Sequence, residues 1–231
     1  MSTEAYQRAR RPEQKLERRD AILGAARELA LRDGVRGVSL AGIASRVGIH
    51  KSALLRYFET REQIFLELTA EAWREWAGAL RRSLDDLGPG PGSGSAAGSG
   101  SAGAVADVVA RSFGDRPLLC DLIAHTPLNL ERNVSSAAVR RYKLTSLGAV
   151  TEAAGLVHGL LPALTNDECR EFISAMASLA GALWQISTPS PALAELYVTD
   201  PDLVHARVEL TPRLRRTAQI LLAGLIPSRT R

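Results

Sequence analysis

The 231-residue chain has few aromatic residues, at 5%, and two cysteines, Cys120 and Cys169. The cysteines form no Cys-x-x-Cys pair, which excludes a disulfide-rich scaffold and a cysteine zinc site. The four histidines share no ligand spacing, so we expect no metal and no cofactor. The N-terminal residues are charged where a secretory signal needs an apolar stretch, and we therefore expect a cytoplasmic protein.

Long apolar runs are also missing. The stretch 172–194 carries no charge, but it contains two prolines and several hydroxyl side chains. A membrane span needs about 20 predominantly apolar residues. We therefore expect no membrane partner and predict a buried helix in this stretch.

Catalytic motifs are absent as well. The sequence has no G-x-S-x-G motif and no Ser, His and Asp grouping that it localises to one site. Residues 98–103 match G-x-G-x-x-G, but no apolar strand precedes them, so a nucleotide site is not indicated. An enzyme is the least favoured class of function.

Helical periodicity dominates the chain, and sustained alternation typical of strands is missing, which predicts an all-α fold. The segments expected to be helical are 14–33, 40–47, 51–58, 61–87, 104–113, 117–125, 135–161, 165–187 and 212–226. Gly, Ser and Pro make up most of 88–103, which predicts a flexible loop. Residues 1–15 are expected to form a flexible basic arm, 16–62 a first domain of three helices, and 63–231 a helical-bundle domain.

Positive charge is concentrated at the N-terminal end. Residues 1–61 hold 13 Lys and Arg against 7 Asp and Glu, whereas the remaining residues are slightly acidic. This asymmetry identifies the first quarter of the chain as the candidate polyanion-binding part.

Two short predicted helices separated by Gly48-Ile49 have the dimensions of a helix-turn-helix unit. An eight-residue helix is about 12 Å long at 1.5 Å per residue, which matches the width of a DNA major groove. On the helix that starts at Lys51, Leu54 and Phe58 point inward. The outward positions offer hydrogen-bond donors to bases and phosphates.

The span from Arg18 to Leu68, with AILGAARELALRDGVRGVSLAGIASRVGIHKSALLRYFETREQIF, resembles the N-terminal domain of the TetR family of bacterial transcriptional regulators. The resemblance implies a three-helix DNA-binding domain, a helical ligand-binding domain, and pairing of two subunits through the last helices. It implies that Lys51 and Ser52 contact base edges and that Ser39, Tyr57 and Arg61 contact phosphates.

Two positions depart from the family pattern. His50 stands where a capping Ser or Thr is common, and Leu55 stands where a phosphate-binding Tyr is frequent. Arg56 is the candidate to supply the contact missing at Leu55. Tyr57 has an alternative role in packing against the first helix. The basic residues before the first helix and at its start are either a minor-groove contact or a solvated tail: Arg8, Arg10, Arg11, Lys15, Arg18 and Arg19.

The C-terminal half is less informative. Two helices, 168–187 and 212–226, are apolar on more than one side, which predicts a homodimer. The residues expected to line a cavity for a small-molecule ligand are Trp76, Phe113, His125, Met176 and Trp184, each with ordinary core packing as its alternative.

These features predict a homodimeric repressor that binds an inverted-repeat operator in double-stranded DNA and is released by a small-molecule ligand. The alternative is a DNA-binding regulator without a small-molecule effector.

Overall fold

The computed structural model describes the backbone of residues 3–88 and 97–226, and the side chains of residues 13–88 and 102–226. Within those ranges every regular element is helical, which confirms the predicted all-α class. The helices are α1 (Thr3–Gly37), α2 (Leu40–Val47), α3 (Lys51–Leu54), α4 (Arg61–Asp85), α5 (Ala97–Gly114), α6 (Pro117–His125), α7 (Ser136–Leu160), α8 (Asn166–Ser187), α9 (Pro191–Thr199) and α10 (Leu210–Leu225). A π-helical turn (Thr126–Leu130) follows α6, and a 3-10 turn (Val204–Ala206) follows α9.

Helix α1 is regular up to Gly34, where the backbone has φ +72° and ψ +157° before a last helical turn. A side chain disfavours this positive φ, so glycine is the residue expected at the break. The predicted end of the first helix is confirmed. Its start is not: the backbone is helical from Thr3 rather than Gln14, because the segment is rich in the good helix formers Ala, Gln, Glu and Arg. The expected flexible arm is therefore helical from Thr3.

Helices α2 and α3 form the two halves of the helix-turn-helix unit. The predicted cap Ser39 accepts a hydrogen bond from the Gly42 N–H at 3.0 Å, and Gly48 ends α2 with φ +73°. Helix α3 is shorter than expected and ends at Leu54 instead of Phe58. Beyond it, the Tyr57 N–H binds the Leu54 carbonyl three residues back, which tightens the chain into turns.

Helix α4 begins at a hydrogen-bonded cap and joins the two domains. Thr60 accepts from the Gln63 N–H at 3.1 Å, and the Gln63 side chain accepts from the Glu59 N–H at 2.6 Å. The predicted capping pair is present, although its second bond goes one residue before Thr60. Helix α4 contacts α1 at one end and α5, α6 and α7 along its length. Its apolar side chains therefore belong to one continuous core with both domains.

The C-terminal domain packs α7 against α4 and α8, and α10 against α5 and α8. The predicted Thr165–Glu168 capping box of α8 is confirmed. Helix α10 starts at Leu210, slightly before the expected Thr211 cap. The expected loop 88–103 falls partly outside the described residues, at 89–96, and its backbone is helical from Ala97.

Candidate nucleic-acid interface

The outward face of the second half of the helix-turn-helix unit is built from α3 and the turn after it. Leu54 and Phe58 are buried and fix the segment to the core. Lys51, Ser52 and Arg56 are exposed beside them. The predicted DNA contacts of this segment therefore share one accessible face, with Leu55 as its exposed apolar member.

His50 caps α3 in place of the usual hydroxyl residue. Its Nδ1 accepts from the Ser52 N–H at 3.5 Å and lies 2.9 Å from the Ser52 Oγ. An unprotonated Nδ1 accepts a hydrogen bond from the Ser52 hydroxyl, leaving the oxygen lone pairs of Ser52 free. The departure from the family pattern thus preserves the cap and orients Ser52.

Two further predicted contacts lie at the edge of this face. Ser39 is exposed at the N-terminus of α2, where free backbone N–H groups favour an anion. Tyr57 is half-buried and packs partly on the core. Its carbonyl accepts a 2.6 Å hydrogen bond from Arg19.

Arg19 supports the recognition segment from within the fold. Its guanidinium lies 4.3 Å from the centroid of the Phe58 ring and forms an ion pair with Glu67. Sequence reasoning grouped Arg19 with the basic residues of the arm. The structure instead gives it partners in the turn after α3 and in α4.

Arg61 is also occupied by partners of its own chain. Its Nε donates to the Val38 carbonyl at 2.5 Å, its Nη2 donates to the Val35 carbonyl, and its guanidinium lies 4.6 Å from the Phe65 centroid. These carbonyls belong to the last turn of α1 and the connection to α2. The side chain that the resemblance assigns to a phosphate therefore joins α4 to the end of α1.

Asp121 of α6 binds the same turn from the other domain. Its Oδ2 accepts from the Val35 N–H at 2.7 Å, and its Oδ1 accepts from Gln185 at 2.8 Å and lies 3.4 Å from His125 Nε2. Burial raises the pKa of Asp121, but the hydrogen bonds from His125, Val35 and Gln185 outweigh it, and the net pKa is below the usual aspartate value. Asp121 is therefore ionised at neutral pH.

The predicted ligand residues divide into two groups. Trp76, Phe113 and Met176 are fully buried, and Trp76 stacks on Phe113 with ring centroids 4.9 Å apart. His125 and Trp184 line an open cavity of about 560 Å³ between the end of α1, α6 and α8, which we call the junction groove.

Sequence reasoning missed Asp121 and Gln185 in this groove. The available signal was a lone carboxylate in the apolar helix PLLCDLIAH.

No group of three or more His, Cys, Asp or Glu side chains in the part of the chain that the structure describes is arranged to hold a metal ion. None of the described helices has the length and apolar character needed to cross a membrane.

Solved structures with the same fold are similar at low identity. The multidrug binding protein EbrR, complexed with imidazole, has a TM-score of 0.55 and 14% identity over 91% of this chain and 96% of its own. A Mesorhizobium loti protein described as a TetR-family transcriptional regulator has a TM-score of 0.54 and 18% identity, over 91% and 96%. FadR of Thermus thermophilus, in complex with lauroyl-CoA, has a TM-score of 0.54 and 12% identity, over 92% and 97%.

Family models match both domains, whereas no curated protein matches the chain. Residues 22–68 match the model described as bacterial regulatory proteins, tetR family. Residues 70–229 match the model described as tetracyclin repressor-like, C-terminal domain. The chain belongs to the TetR family of bacterial transcriptional regulators, with an N-terminal DNA-binding domain followed by an all-helical C-terminal domain.

Proposed function

We propose that this protein is a homodimeric repressor that binds an inverted-repeat operator and leaves it when a small molecule binds the C-terminal domain. The observation that carries the proposal is the exposed face of Lys51, Ser52 and Arg56, fixed to the core by Leu54 and Phe58. A basic segment of this kind, anchored by buried side chains, fits one major groove.

The side chains divide between base and phosphate contacts. Lys51 and Ser52 start α3 and reach base edges, because the N-terminal residues of a recognition helix enter the groove first. Arg56 takes the phosphate beside Leu55, and Ser39 and Tyr57 bind the backbone at the edges of the face. For Arg61 we replace the expected phosphate contact with a supporting role, since its donors go to Val35 and Val38.

A second copy of the chain supplies the second recognition segment that an inverted-repeat operator requires. Apolar side chains are exposed on α8, α9, the 3-10 turn and α10: Ile186, Leu193, Leu196, Val198, Val204 and Ile220. Helix α9 has no buried residue. Contact with a second subunit would remove this surface from water and place two recognition segments about 34–36 Å apart, one turn of DNA.

A ligand changes DNA affinity only if it binds one arrangement of the dimer better than the other. The coupling is geometric in this proposal, because a change in the separation of the two recognition segments prevents them from entering successive major grooves together. The hydrogen bond of Asp121 to Val35 at the end of α1 connects the C-terminal domain directly to the DNA-binding domain and hence to that separation.

The test is direct binding to the promoter beside the protein's own gene. Fluorescence anisotropy with that inverted repeat and with a scrambled duplex, at several salt concentrations, measures specific and non-specific affinity. We expect two chains per repeat and raised reporter expression when the gene is deleted. Equal affinity for both duplexes contradicts sequence-specific regulation.

The alternative is a regulator whose DNA binding is set by abundance or by a protein partner. In that case no small molecule shifts the thermal unfolding temperature or lowers operator affinity. A metabolite library screened on the free dimer, followed by operator titration with each hit, separates the two functions.

A further inference from the structure

We propose that the junction groove between α1, α6 and α8 is a binding site for a small organic cation with an apolar body, held against the carboxylate of Asp121. The groove volume of about 560 Å³ lies within the range of about 300–1,000 Å³ usual for ligand sites. This groove would be the site of the small molecule in the proposed function, so its biological role rests on that function.

The first argument is the charge at the floor of the groove. The Asp121 side chain is 10% exposed, and two of its hydrogen-bond donors, Val35 and Gln185, are neutral amides. Among the described residues, no Lys or Arg nitrogen lies within 4 Å of it, and its third donor, His125, is charged only when protonated. A buried carboxylate of which two donors are neutral amides attracts a cation, since water screens the interaction poorly there.

The other charges of the groove do not cancel this attraction. Arg32 is bound at two points by Asp33, at 2.8 and 2.7 Å, so the two neutralise each other. Arg36 is exposed, and its charge is screened by solvent. Among the described residues, Asp121 is therefore a buried charge of the groove that no Lys or Arg pairs with.

The second argument is the chemistry of the walls. Leu31 is 60% exposed although it is a large apolar residue, and it lines the groove together with Leu118 and Trp184. The apolar body of a ligand gains free energy by covering these side chains, and an aromatic face attracts a cation at close range. A cation with an apolar body contacts both the apolar walls of the groove and the carboxylate at its floor.

The third argument is the connection from the floor to the DNA-binding domain. The oxygen of Asp121 that does not bind Gln185 accepts from Val35, in the turn that follows the break at Gly34. A cation that draws the carboxylate into the groove stretches the hydrogen bond between Asp121 and Val35. Ligand binding and operator binding are then coupled, and each changes the affinity of the other by the same factor.

The probes are tetraphenylphosphonium and tetraphenylborate, which have nearly the same size and shape and opposite charge. Equilibrium dialysis on the DNA-free dimer is expected to show one saturable tetraphenylphosphonium site per chain and no comparable borate site. Because no DNA is present, failure of the cation site is distinguished from failure of operator binding.

Charge substitutions locate the site. Asp121→Asn is expected to weaken tetraphenylphosphonium binding about tenfold or more, while Glu152→Gln, which removes an exposed carboxylate on α7, leaves it unchanged. Leu31 is exposed on α1, so both of its charged variants should fold. Leu31→Lys should weaken binding of the cation, and Leu31→Glu should strengthen it.

Three results would overturn the proposal. These are no saturable binding of tetraphenylphosphonium, equal binding of the borate, and equal affinities of Leu31→Lys and Leu31→Glu. The Leu31 pair keeps the test decisive even if Asp121→Asn unfolds, because Leu31 makes none of the hydrogen bonds of Asp121.

Discussion

Arg61 and Asp121 bind the same residue, Val35, from two different domains. Arg61 at the start of α4 donates to the Val35 carbonyl, and Asp121 in α6 accepts from the Val35 N–H at 2.7 Å. Both polar groups of one peptide residue are thus satisfied by side chains that are distant in sequence. The turn between α1 and α2 is therefore positioned by the C-terminal domain as well as by its own helices.

Asp121→Asn is expected to lower the free energy of unfolding at neutral pH by about 1–3 kcal/mol, the usual cost of a weakened buried hydrogen-bond network. The pKa of Asp121 is below its usual value in the folded protein, so its ionisation stabilises the fold above the pKa of the unfolded chain, about 3.9. That contribution disappears as the pH falls through the lowered folded pKa.

Urea denaturation of wild type and Asp121→Asn between pH 7 and pH 3 measures this difference. The two curves should converge as the pH decreases. Glu152→Gln, at an exposed ion pair with Arg81, serves as the control. A constant difference across the range would show that the charge of Asp121 contributes nothing to stability.

Arg61→Ala is expected to destabilise the protein by about 1–3 kcal/mol, because the carbonyls of Val35 and Val38 lose their charged donor. Arg61→Lys should recover part of this loss. The salt dependence of DNA binding should stay that of wild type, since this guanidinium is already bound within the chain.

Arg56→Ala is the matched comparison on the exposed face. It should leave the unfolding temperature unchanged and reduce the slope of log K against log salt by about one per chain. If Arg61→Ala reduces the slope by the same amount, Arg61 contacts a phosphate and the supporting role is wrong.

Lys51→Ala is expected to weaken operator binding by about 1–3 kcal/mol and to relax the preference at one base pair in each half-site. Non-specific DNA should be affected much less, and stability should not change because Lys51 is exposed. Anisotropy titrations with single-base operator variants measure the preference. An unchanged base preference would mean that another side chain occupies this position in the groove.

The helices of the DNA-binding domain could be predicted closely because the signals that define them are local. The cap at Ser39, the positive φ at Gly48 and the buried Leu54 are all set by neighbouring residues. The groove could not be predicted, because Asp121 meets Val35 across 86 positions and Gln185 across 64. Composition also cannot separate a core aromatic from a ligand-lining one, and only the fold places Trp76 in the core and Trp184 at the groove.

Gly181 sets the distance between α8 and α6. A Cβ built on it would lie 3.0 Å from the Ala124 backbone nitrogen and 3.1 Å from Ile123 Cγ2. Backbone at this distance cannot move away without shifting α6, which carries Asp121. Gly181→Ala should therefore destabilise the protein by about 1–3 kcal/mol, although alanine is the better helix former.

Gly148→Ala in α7 is the matched control, because a Cβ at Gly148 has no atom within 4 Å. That variant should be more stable than wild type by about 0.5–1 kcal/mol, as expected for a glycine replaced within an exposed helix. Urea denaturation of both variants gives the comparison. If Gly181→Ala gains stability as Gly148→Ala does, α6 is free to move away from α8, and the close packing does not fix the position of Asp121.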